Sequence, residues 1–551
     1  MARLLHSISA ASRPTGFRSG LGRYLFAAGL CGVVLLFLVD ACTISRQAPW
    51  QDEIFVVSTG LSVARSEPLI QSVMAQYPRA DSPIRFYGPV SFVADAQLIR
   101  WFGLSITAWR LACLGGVALT LVFSTMLVRF AGGDSWAQLV TALIIGLAGS
   151  FGSLPGRWDA VTSGLFLGAL LFLLRDVQAE ARAPGWQAVL AGVFVGFTLG
   201  STPRSLTLIA AAMFATLVEA VCFRRTRRSL LFGIATILGV AISVQTLLLL
   251  PWGLNPFSWY AYVRQATKDD AINATSVAGH GAFDFNLRYH KTFFLVFLLL
   301  LIVGVLAACA RRKPLADDER TQARMFLALF ATANLVLMLL LLAQALGQSA
   351  YWLPPVVIAT MCWFDWSLIK TRPWRHAEAA ATVACLFVLV FTDTQRLAPL
   401  ILTWNRRNNT DITAFVRKTL KSNGVVYGPV SGDFYPVELA GARYLYVAEN
   451  ARAGRVSEPG ASISDKLEQS ICSHPTYAIW PEANPAEQPE QEPMPDVLRE
   501  RLLPKAGEFK QPPLSPWKEK LLGSLGPVVG KYGFPDTVIY PLKSLNGCAT
   551  Q

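Results

Sequence analysis

Long apolar segments separated by short polar loops run from about residue 24 to residue 395. Many of these segments reach about 17–25 residues, the length of helix that crosses the hydrocarbon core of a bilayer. The pattern predicts a polytopic α-helical membrane protein with about eleven spans. The predicted spans are 24–42, 106–128, 136–154, 160–174, 187–202, 205–222, 230–250, 292–310, 325–346, 353–369 and 378–395.

The helical part covers 24–395, and polar regions precede and follow it in the sequence. Residues 1–23 are basic and predict a cytoplasmic N-terminus ahead of a first span that is retained rather than cleaved as a signal peptide. After residue 396 the long apolar runs stop, and strand-like segments such as Gly424–Gly428 occur beside helical stretches such as Ile412–Leu420. These features predict a small extracytoplasmic α/β domain over 396–551.

Composition and charge support the membrane assignment. The chain is 53% hydrophobic and only 15% charged, which is less charge than soluble proteins of this length carry. Its net charge is +13, but the basic residues cluster in short loops at 224–228, 311–313 and 370–375. Such clusters mark cytoplasmic loops, so the charge does not indicate nucleic acid as a partner.

With these loops inside, the regions facing outward include the first loop (43–105), the tight loop Leu154–Asp159, the loop 252–291 and the C-terminal domain. The segment Phe86–Phe102 of the first loop is apolar but short and contains charged residues. We expect it to form a helix along the outer membrane surface rather than a further span.

Acidic residues stand at the outer ends of two predicted spans. Asp52 and Glu53 follow the first span, and Asp159 precedes the fourth. Charged groups at such positions are candidates for function. Four arginines are predicted on the same side of the membrane: Arg65, Arg85, Arg157 and Arg204.

Carboxylates beside cations suit a substrate that carries a phosphate. A carboxylate can take a proton from an attacking hydroxyl, and cations can stabilise the departing phosphate. The chain contains neither a Walker A loop nor a G-x-G-x-x-G motif, which disfavours a soluble nucleotide donor. A lipid-linked phosphate is the expected substrate.

Four motifs occur in a fixed order within about residues 20–230: Asp52-Glu53, then Arg85-Phe-Tyr-Gly-Pro-Val, then Trp109-Arg-Leu, then Arg157-Trp-Asp159. Their order and sidedness resemble the GT-C superfamily of membrane glycosyltransferases. This superfamily includes the protein O-mannosyltransferases and the aminoarabinose transferase that modifies lipid A. Several relatives have Lys-Pro-Pro-Leu at the second motif and Ala-Arg-Leu at the third.

The resemblance implies inverting transfer of a sugar from a polyprenyl-phosphate carrier to a lipid, glycan or protein acceptor on the outer face. It implies that Asp52 is the base, that Glu53 assists it or binds the sugar, and that Asp159 is a second acid in the same cavity. Arg85 lies nearest the family's phosphate-binding lysine, and Tyr87 is a candidate for stacking on the sugar. The family is mixed in metal use, so a divalent metal stays open although no metal-ligand spacing occurs.

Each candidate acid or cation also has a structural interpretation. The pair at 52–53 could begin a helix over Ile54–Ala64, and Asp159 could begin its span. Arg157 and Arg204 could extend to the membrane interface without binding substrate. Arg110 is expected to pair with an acid such as Asp95.

Two other function classes stay open. A secondary transporter would fit the helices, but the sequence contains no inverted repeat and no paired broken helices. A membrane-anchored scaffold would tolerate changes at Asp52 and Asp159. The short loops favour a bacterial inner membrane with the site facing the periplasm. In that oxidising compartment Cys472 and Cys548 could either pair or stay free.

Overall fold

The structure is a computed structural model. It describes residues 20–46, 49, 51–67, 72–74, 87–150, 156–178, 185–202, 204–222, 227–257, 291–309, 319–341, 349–363, 373–407, 409–429, 431–447, 463–481, 494–525, 536–545 and 548.

Helices make up the first four hundred residues, as the apolar pattern predicts. Their bounds are α1 Gly20–Thr43, α2 Gln51–Ala64, α3 Pro89–Phe102, α4 Ile106–Phe130, α5 Ser135–Ser150, α6 Asp159–Gln178, α7 Trp186–Leu199, α8 Ser205–Cys222, α9 Arg227–Leu249, α10 Lys291–Cys309, α11 Glu319–Leu341, α12 Ser349–Met361 and α13 Pro373–Leu402. Short 3-10 turns lie at Ile44–Arg46, Ser72–Met74, Leu250–Trp252 and Trp404–Arg407.

Every predicted span overlaps one of these helices, although the ends at 151–154, 310, 342–346 and 364–369 fall outside the described residues. The described residues contain five helices that are long and apolar enough to cross a membrane: Tyr24–Arg46, Ile106–Phe130, Gly233–Trp252, Arg320–Leu340 and His376–Leu402. The chain is therefore a multi-pass helical membrane protein. The predicted surface segment of the first loop is also helical, as α3.

The helices of the bundle share an apolar core. Ile144, Leu170 and Phe330, from three different helices, are all buried in one cluster. On α1, by contrast, large apolar side chains such as Leu35 and Leu38 are more than half exposed. An apolar surface of this kind suits contact with lipid tails rather than water.

The C-terminal part forms a small α/β domain, as predicted. Its helices are α14 Asn409–Thr419, α15 Phe434–Leu439, α16 Ile463–Ser473, α17 Asp496–Arg499 and α18 Pro516–Leu525. Its strands are β1 Val425–Gly428, β2 Arg443–Tyr446, β3 Thr476–Pro481, β4 Gly507–Phe509 and β5 Thr537–Pro541. The strand order is β2-β1-β3-β5-β4. β1 runs parallel to β2 and β3, whereas β5 runs antiparallel to β3 and β4.

Alternate residues of the strands enter two different cores, because successive side chains of a strand point to opposite faces. Val426 and Ile479 belong to a core that also contains Trp109 of α4. Val425 and Ala478, their direct neighbours, belong to a separate core on the other face. One face of the sheet is thus continuous with the helices of the first loop, which attaches the C-terminal domain to the membrane part.

One short strand and one disulfide bond complete the domain. Strand β4 was not predicted, because a segment of three residues gives too short a pattern to detect. Cys472 and Cys548, whose pairing the sequence left open, form a disulfide bond. The Pro- and Glu-rich stretch at 482–490 lies outside the described residues.

Candidate active site

A fully buried ion pair anchors the start of α2. The carboxylate of Glu53 accepts hydrogen bonds from Nε and Nη2 of Arg110, at 3.0 and 2.8 Å, and neither side chain is exposed. Nη1 of Arg110 also donates to the carbonyl oxygen of Ile44, at 2.6 Å. A two-bond guanidinium–carboxylate contact fixes orientation as well as charge. Asp52 is the preceding residue of α2; its side chain lies outside the described part.

Arg110 pairs with an acid, as expected, but the acid is Glu53 rather than Asp95. Asp95 is buried instead where α3 crosses α2. A Cβ at Gly60 of α2 would lie 2.1 Å from the Asp95 carboxylate, so only glycine allows this approach. Burial raises the pKa of Asp95 well above its ordinary value, and the nearby Glu53 carboxylate raises it further. Asp95 is therefore a poor ionic partner.

Gly156, in the loop before α6, packs against the ion pair of Glu53 and Arg110. Its φ is +87°, and an added Cβ would lie 2.4 Å from Cδ of Glu53. Its carbonyl oxygen accepts a hydrogen bond from the indole Nε1 of Trp109, at 2.9 Å. The Trp109 and Trp158 rings stack at 5.2 Å between centroids. The Trp109-Arg110 motif therefore holds both the first-loop acid and the loop that leads to Asp159.

Asp159 lies in a second polar cluster at the start of α6. Nε of Arg157 lies 2.8 Å and Nη1 of Arg204 3.9 Å from its carboxylate oxygens. The Tyr351 hydroxyl of α12 donates a hydrogen bond to the same carboxylate at 2.5 Å. The carboxylate is 5% exposed, against 13% and 21% for the two arginines. Two guanidinium groups against one carboxylate give the cluster a net positive charge.

The first loop reaches this cluster through Tyr87 and Gly88. The Gly88 amide donates to the carbonyl oxygen of Ser201 at 2.7 Å, and an added Cβ at Gly88 would lie 2.2 Å from the carbonyl oxygen of Gly200. Tyr87 is buried and lies close enough to Tyr351 for an electrostatic interaction. The motif containing Tyr87 thus lies beside the cluster of Asp159.

The other predicted site residues are placed differently. Arg85 lies outside the described residues. Arg65 lies just past the end of α2, where it forms an ion pair with Glu438 of the C-terminal domain at 3.2 Å. In the described part of the chain, no group of three or more His, Cys, Asp or Glu side chains could hold a metal ion.

Two tyrosines near the acids were not predicted as site residues. Tyr351 lies within an apolar run that gives no sign of a polar contact. The hydroxyl of Tyr435, on α15, donates a hydrogen bond to Oε1 of Glu53 at 3.3 Å. Tyr435 belongs to the segment Phe434-Tyr-Pro, whose contact with the first loop is not encoded in the local sequence.

Searches against known proteins give a result for structures only. No family model and no curated protein matches the chain. The structure of ArnT from Cupriavidus metallidurans bound to undecaprenyl phosphate matches with a TM-score of 0.55 and 12% identity, over 97% of this chain and 100% of that one. The chain has the GT-C fold.

Two further structures match at TM-scores below 0.5. ArnT from the same organism in the apo state gives 0.41, with 13% identity over 95% of this chain and 98% of that chain. The oligosaccharyltransferase AglB from Archaeoglobus fulgidus, in complex with an inhibitory peptide and a dolichol-phosphate, gives 0.43, with 14% identity over 84% of this chain and 70% of that chain. The match at a TM-score of 0.55 confirms the predicted resemblance to GT-C proteins at the level of the fold.

Proposed function

We propose that this GT-C protein is a glycosyltransferase that moves a sugar from a polyprenyl-phosphate carrier to an acceptor on the outer face of the membrane. The observation that carries the proposal is the cluster around Asp159, where two partly exposed arginines surround one buried carboxylate at the end of a membrane helix. A net positive charge at the end of a membrane helix suits the phosphate of a lipid carrier.

The reaction has one bond-forming and one bond-breaking event. The acceptor hydroxyl oxygen forms a bond to the anomeric carbon of the sugar, while the bond from that carbon to the phosphate oxygen breaks. The acceptor proton passes to a carboxylate, for which Asp52 is the candidate. The carrier leaves as a polyprenyl phosphate, whose charge Arg157 and Arg204 would stabilise.

Glu53 has a structural role in this proposal, whereas Asp52 is the candidate base. Its carboxylate is fully buried and bound to Arg110 by two hydrogen bonds, so it is poorly placed to accept a proton. Removing an ion-paired carboxylate from its guanidinium is costly in a buried site. Glu53 therefore orients the start of α2, while Asp159 holds the two arginines in place. Arg85 and Tyr87 remain candidates for contacts with phosphate and sugar.

Sidedness is supported by two independent features. Disulfide bonds persist in oxidising compartments, and the C-terminal domain contains the bond between Cys472 and Cys548. The basic clusters at 224–228, 311–313 and 370–375 lie between predicted spans, on the side that the positive-inside rule assigns to the cytoplasm. Both features favour a site that faces the periplasm of a bacterial inner membrane. The undecaprenyl phosphate bound to ArnT is the reason for testing a polyprenyl donor first.

The test is a transfer assay on the full chain in lipid vesicles, with polyprenyl-phosphate-linked pentoses and hexoses as donors. We expect release of polyprenyl phosphate by the wild-type protein. Asp52→Asn should lower turnover at least 100-fold, in the range of lost general base catalysis, while folding and donor binding are kept. Asp496→Asn is the matched control, because Asp496 is exposed on the C-terminal domain.

The outcomes separate the alternatives. Unchanged turnover in Asp52→Asn would transfer the role of base to Asp159. Absence of turnover by the wild-type protein with every donor and added membrane extract would contradict the glycosyltransferase proposal. It would favour a transporter or a scaffold.

A further inference from the structure

The C-terminal domain contacts both ends of α2, the helix that begins with the acidic pair. Near its start, the Tyr435 hydroxyl donates to Glu53 at 3.3 Å. Just past its end, Nη2 of Arg65 donates to Glu438 at 3.2 Å. With a rise of 1.5 Å per residue, the two contacted residues stand about 18 Å apart along the helix. Contacts at this separation resist both sliding and tilting of α2.

Both contacts come from α15, which is itself fixed to the sheet. Tyr435 and Glu438 are buried, and the Glu438 carboxylate also accepts a hydrogen bond from the backbone amide of Tyr444 in β2, at 3.0 Å. A third contact links α2 directly to β2, since the rings of Phe55 and Tyr446 meet edge to face with 5.9 Å between their centroids. The position of α2 is therefore coupled to the sheet of the C-terminal domain.

The hydroxyl of Tyr435 is not needed to neutralise Glu53, because Arg110 already provides the positive charge through two hydrogen bonds. The tyrosine adds a third donor from a different domain. Hydrogen bonds that converge on one carboxylate from two directions restrict its orientation. The contribution of Tyr435 is thus geometric rather than electrostatic.

We propose that the C-terminal domain is a positioning part of the site, in which the Tyr435 hydroxyl holds the Glu53 end of α2 and with it the adjacent Asp52. The effect on catalysis rests on the proposed function, whereas the effect on α2 does not. Displacement of a reacting group by about 1 Å can cost about 100-fold in rate. A positioning residue therefore lowers kcat and leaves donor binding nearly unchanged.

The test compares Tyr435→Phe with Tyr427→Phe in the full chain. Tyr427 is a buried tyrosine of the same domain whose hydroxyl bonds to Ser470 instead of the first loop. Two quantities are measured: kcat and KM for a polyprenyl-phosphate sugar, and amide hydrogen exchange of peptides covering 51–64. The exchange measurement needs no substrate, so it reports on the contact even when no sugar is transferred.

We expect Tyr435→Phe to lower kcat roughly tenfold with KM within twofold, and to accelerate exchange at the start of α2 roughly tenfold. Tyr427→Phe should change neither quantity. Unchanged exchange in Tyr435→Phe would overturn the proposal, and so would accelerated exchange with unchanged kcat. Accelerated exchange in a protein whose wild type transfers no sugar would support the contact and contradict the proposed function instead.

Discussion

Glu53 and Arg110 are separated by 57 residues in the chain and form a buried ion pair with two hydrogen bonds. The pair joins α2 of the first loop to α4 of the membrane part, next to Gly156 of the loop before α6. A buried pair costs desolvation on both sides and depends on both partners. The stability of this junction is therefore sensitive to the removal of either charge.

Arg110→Leu should destabilise the protein strongly, because the Glu53 carboxylate would stay buried without its cation. Breaking a buried pair in this way costs about 3–5 kcal/mol. The measurement is the thermal midpoint of unfolding in detergent, followed by tryptophan fluorescence.

The double variant Arg110→Leu with Glu53→Leu is the control for this effect. It removes both charges and replaces them with apolar groups, which is often nearly neutral. We expect it to recover most of the midpoint. If the double variant were as unstable as Arg110→Leu, packing rather than charge would explain the loss.

Gly156→Ala should destabilise the site by two mechanisms at once. Gly156 has φ of +87°, where an L-residue is strained, and its added Cβ would lie 2.4 Å from Cδ of Glu53. Strain alone costs about 1–2 kcal/mol, and the clash adds to that because the Glu53 carboxylate is held by Arg110. The thermal midpoint of the variant should fall accordingly.

Gly441→Ala isolates the contribution of strain. Gly441 has φ of +83°, close to that of Gly156, but no heavy atom lies within 4 Å of its added Cβ. We expect Gly156→Ala to lower the midpoint clearly more than Gly441→Ala does. Equal effects would mean that the loop before α6 moves away from Glu53 at little cost.

The sequence predicted the elements of this protein better than the contacts between them. Apolar segments of membrane length located α1 and the helices from α4 to α13, and short strand-like runs after residue 396 located β1, β2, β3 and β5. These patterns succeed because burial on one face or in lipid imposes a period on a local segment. The surface helix α3 was also predicted, since its charges excluded a span.

Contacts across the chain could not be predicted in the same way. Tyr435 and Glu53 are 382 residues apart, and periodicity indicates that a side chain is buried without indicating against what. Arg110 was expected beside Asp95 because both lie near the outer surface, but close packing at Gly60 directs Asp95 to a different contact. The acids at 52–53 and Asp159 were predicted from their position in the topology, and their catalytic roles stay predictions.

Arg157→Gln should weaken the proposed phosphate site. The substitution removes one of the two positive charges beside Asp159 and leaves a shorter, neutral polar side chain. In a transfer assay we expect turnover to fall roughly 100-fold, in the range seen when a group that stabilises transition-state charge is lost. Arg157→Lys should keep part of the activity, since the charge is kept but the planar guanidinium is lost.

Arg417→Gln serves as the comparison for that variant. Arg417 lies on α14, where its guanidinium donates to the backbone oxygen of Leu439 in an exposed contact. We expect its removal to leave turnover unchanged. Equal losses in Arg157→Gln and Arg417→Gln would point to a general effect of charge on donor recruitment rather than to a phosphate contact at Asp159.

Asp433 should make the stability of the C-terminal domain depend on pH. The residue is fully buried just before α15, and neither carboxylate oxygen has a hydrogen-bond partner among the described residues. Burial raises its pKa from the ordinary value of 3.8 to about 7. Below pH 4 the folded and unfolded states both bind the proton. As pH rises towards 7 only the unfolded state releases it, so the free energy of unfolding falls across this interval.

Asp433→Asn tests this prediction, because an amide of nearly the same shape cannot ionise. The thermal midpoints of wild type and variant should be similar near pH 4 and should diverge as the pH rises to 7, with the variant more stable. Asp496→Asn, a change at an exposed carboxylate of the same domain, should show no such divergence. A constant difference between Asp433→Asn and wild type from pH 4 to pH 8 would mean that the Asp433 carboxylate is not forced to ionise in the folded protein, and that water or a cation reaches it. Since α15 also carries Tyr435, a divergence would further predict that alkaline conditions loosen the contact between the C-terminal domain and α2.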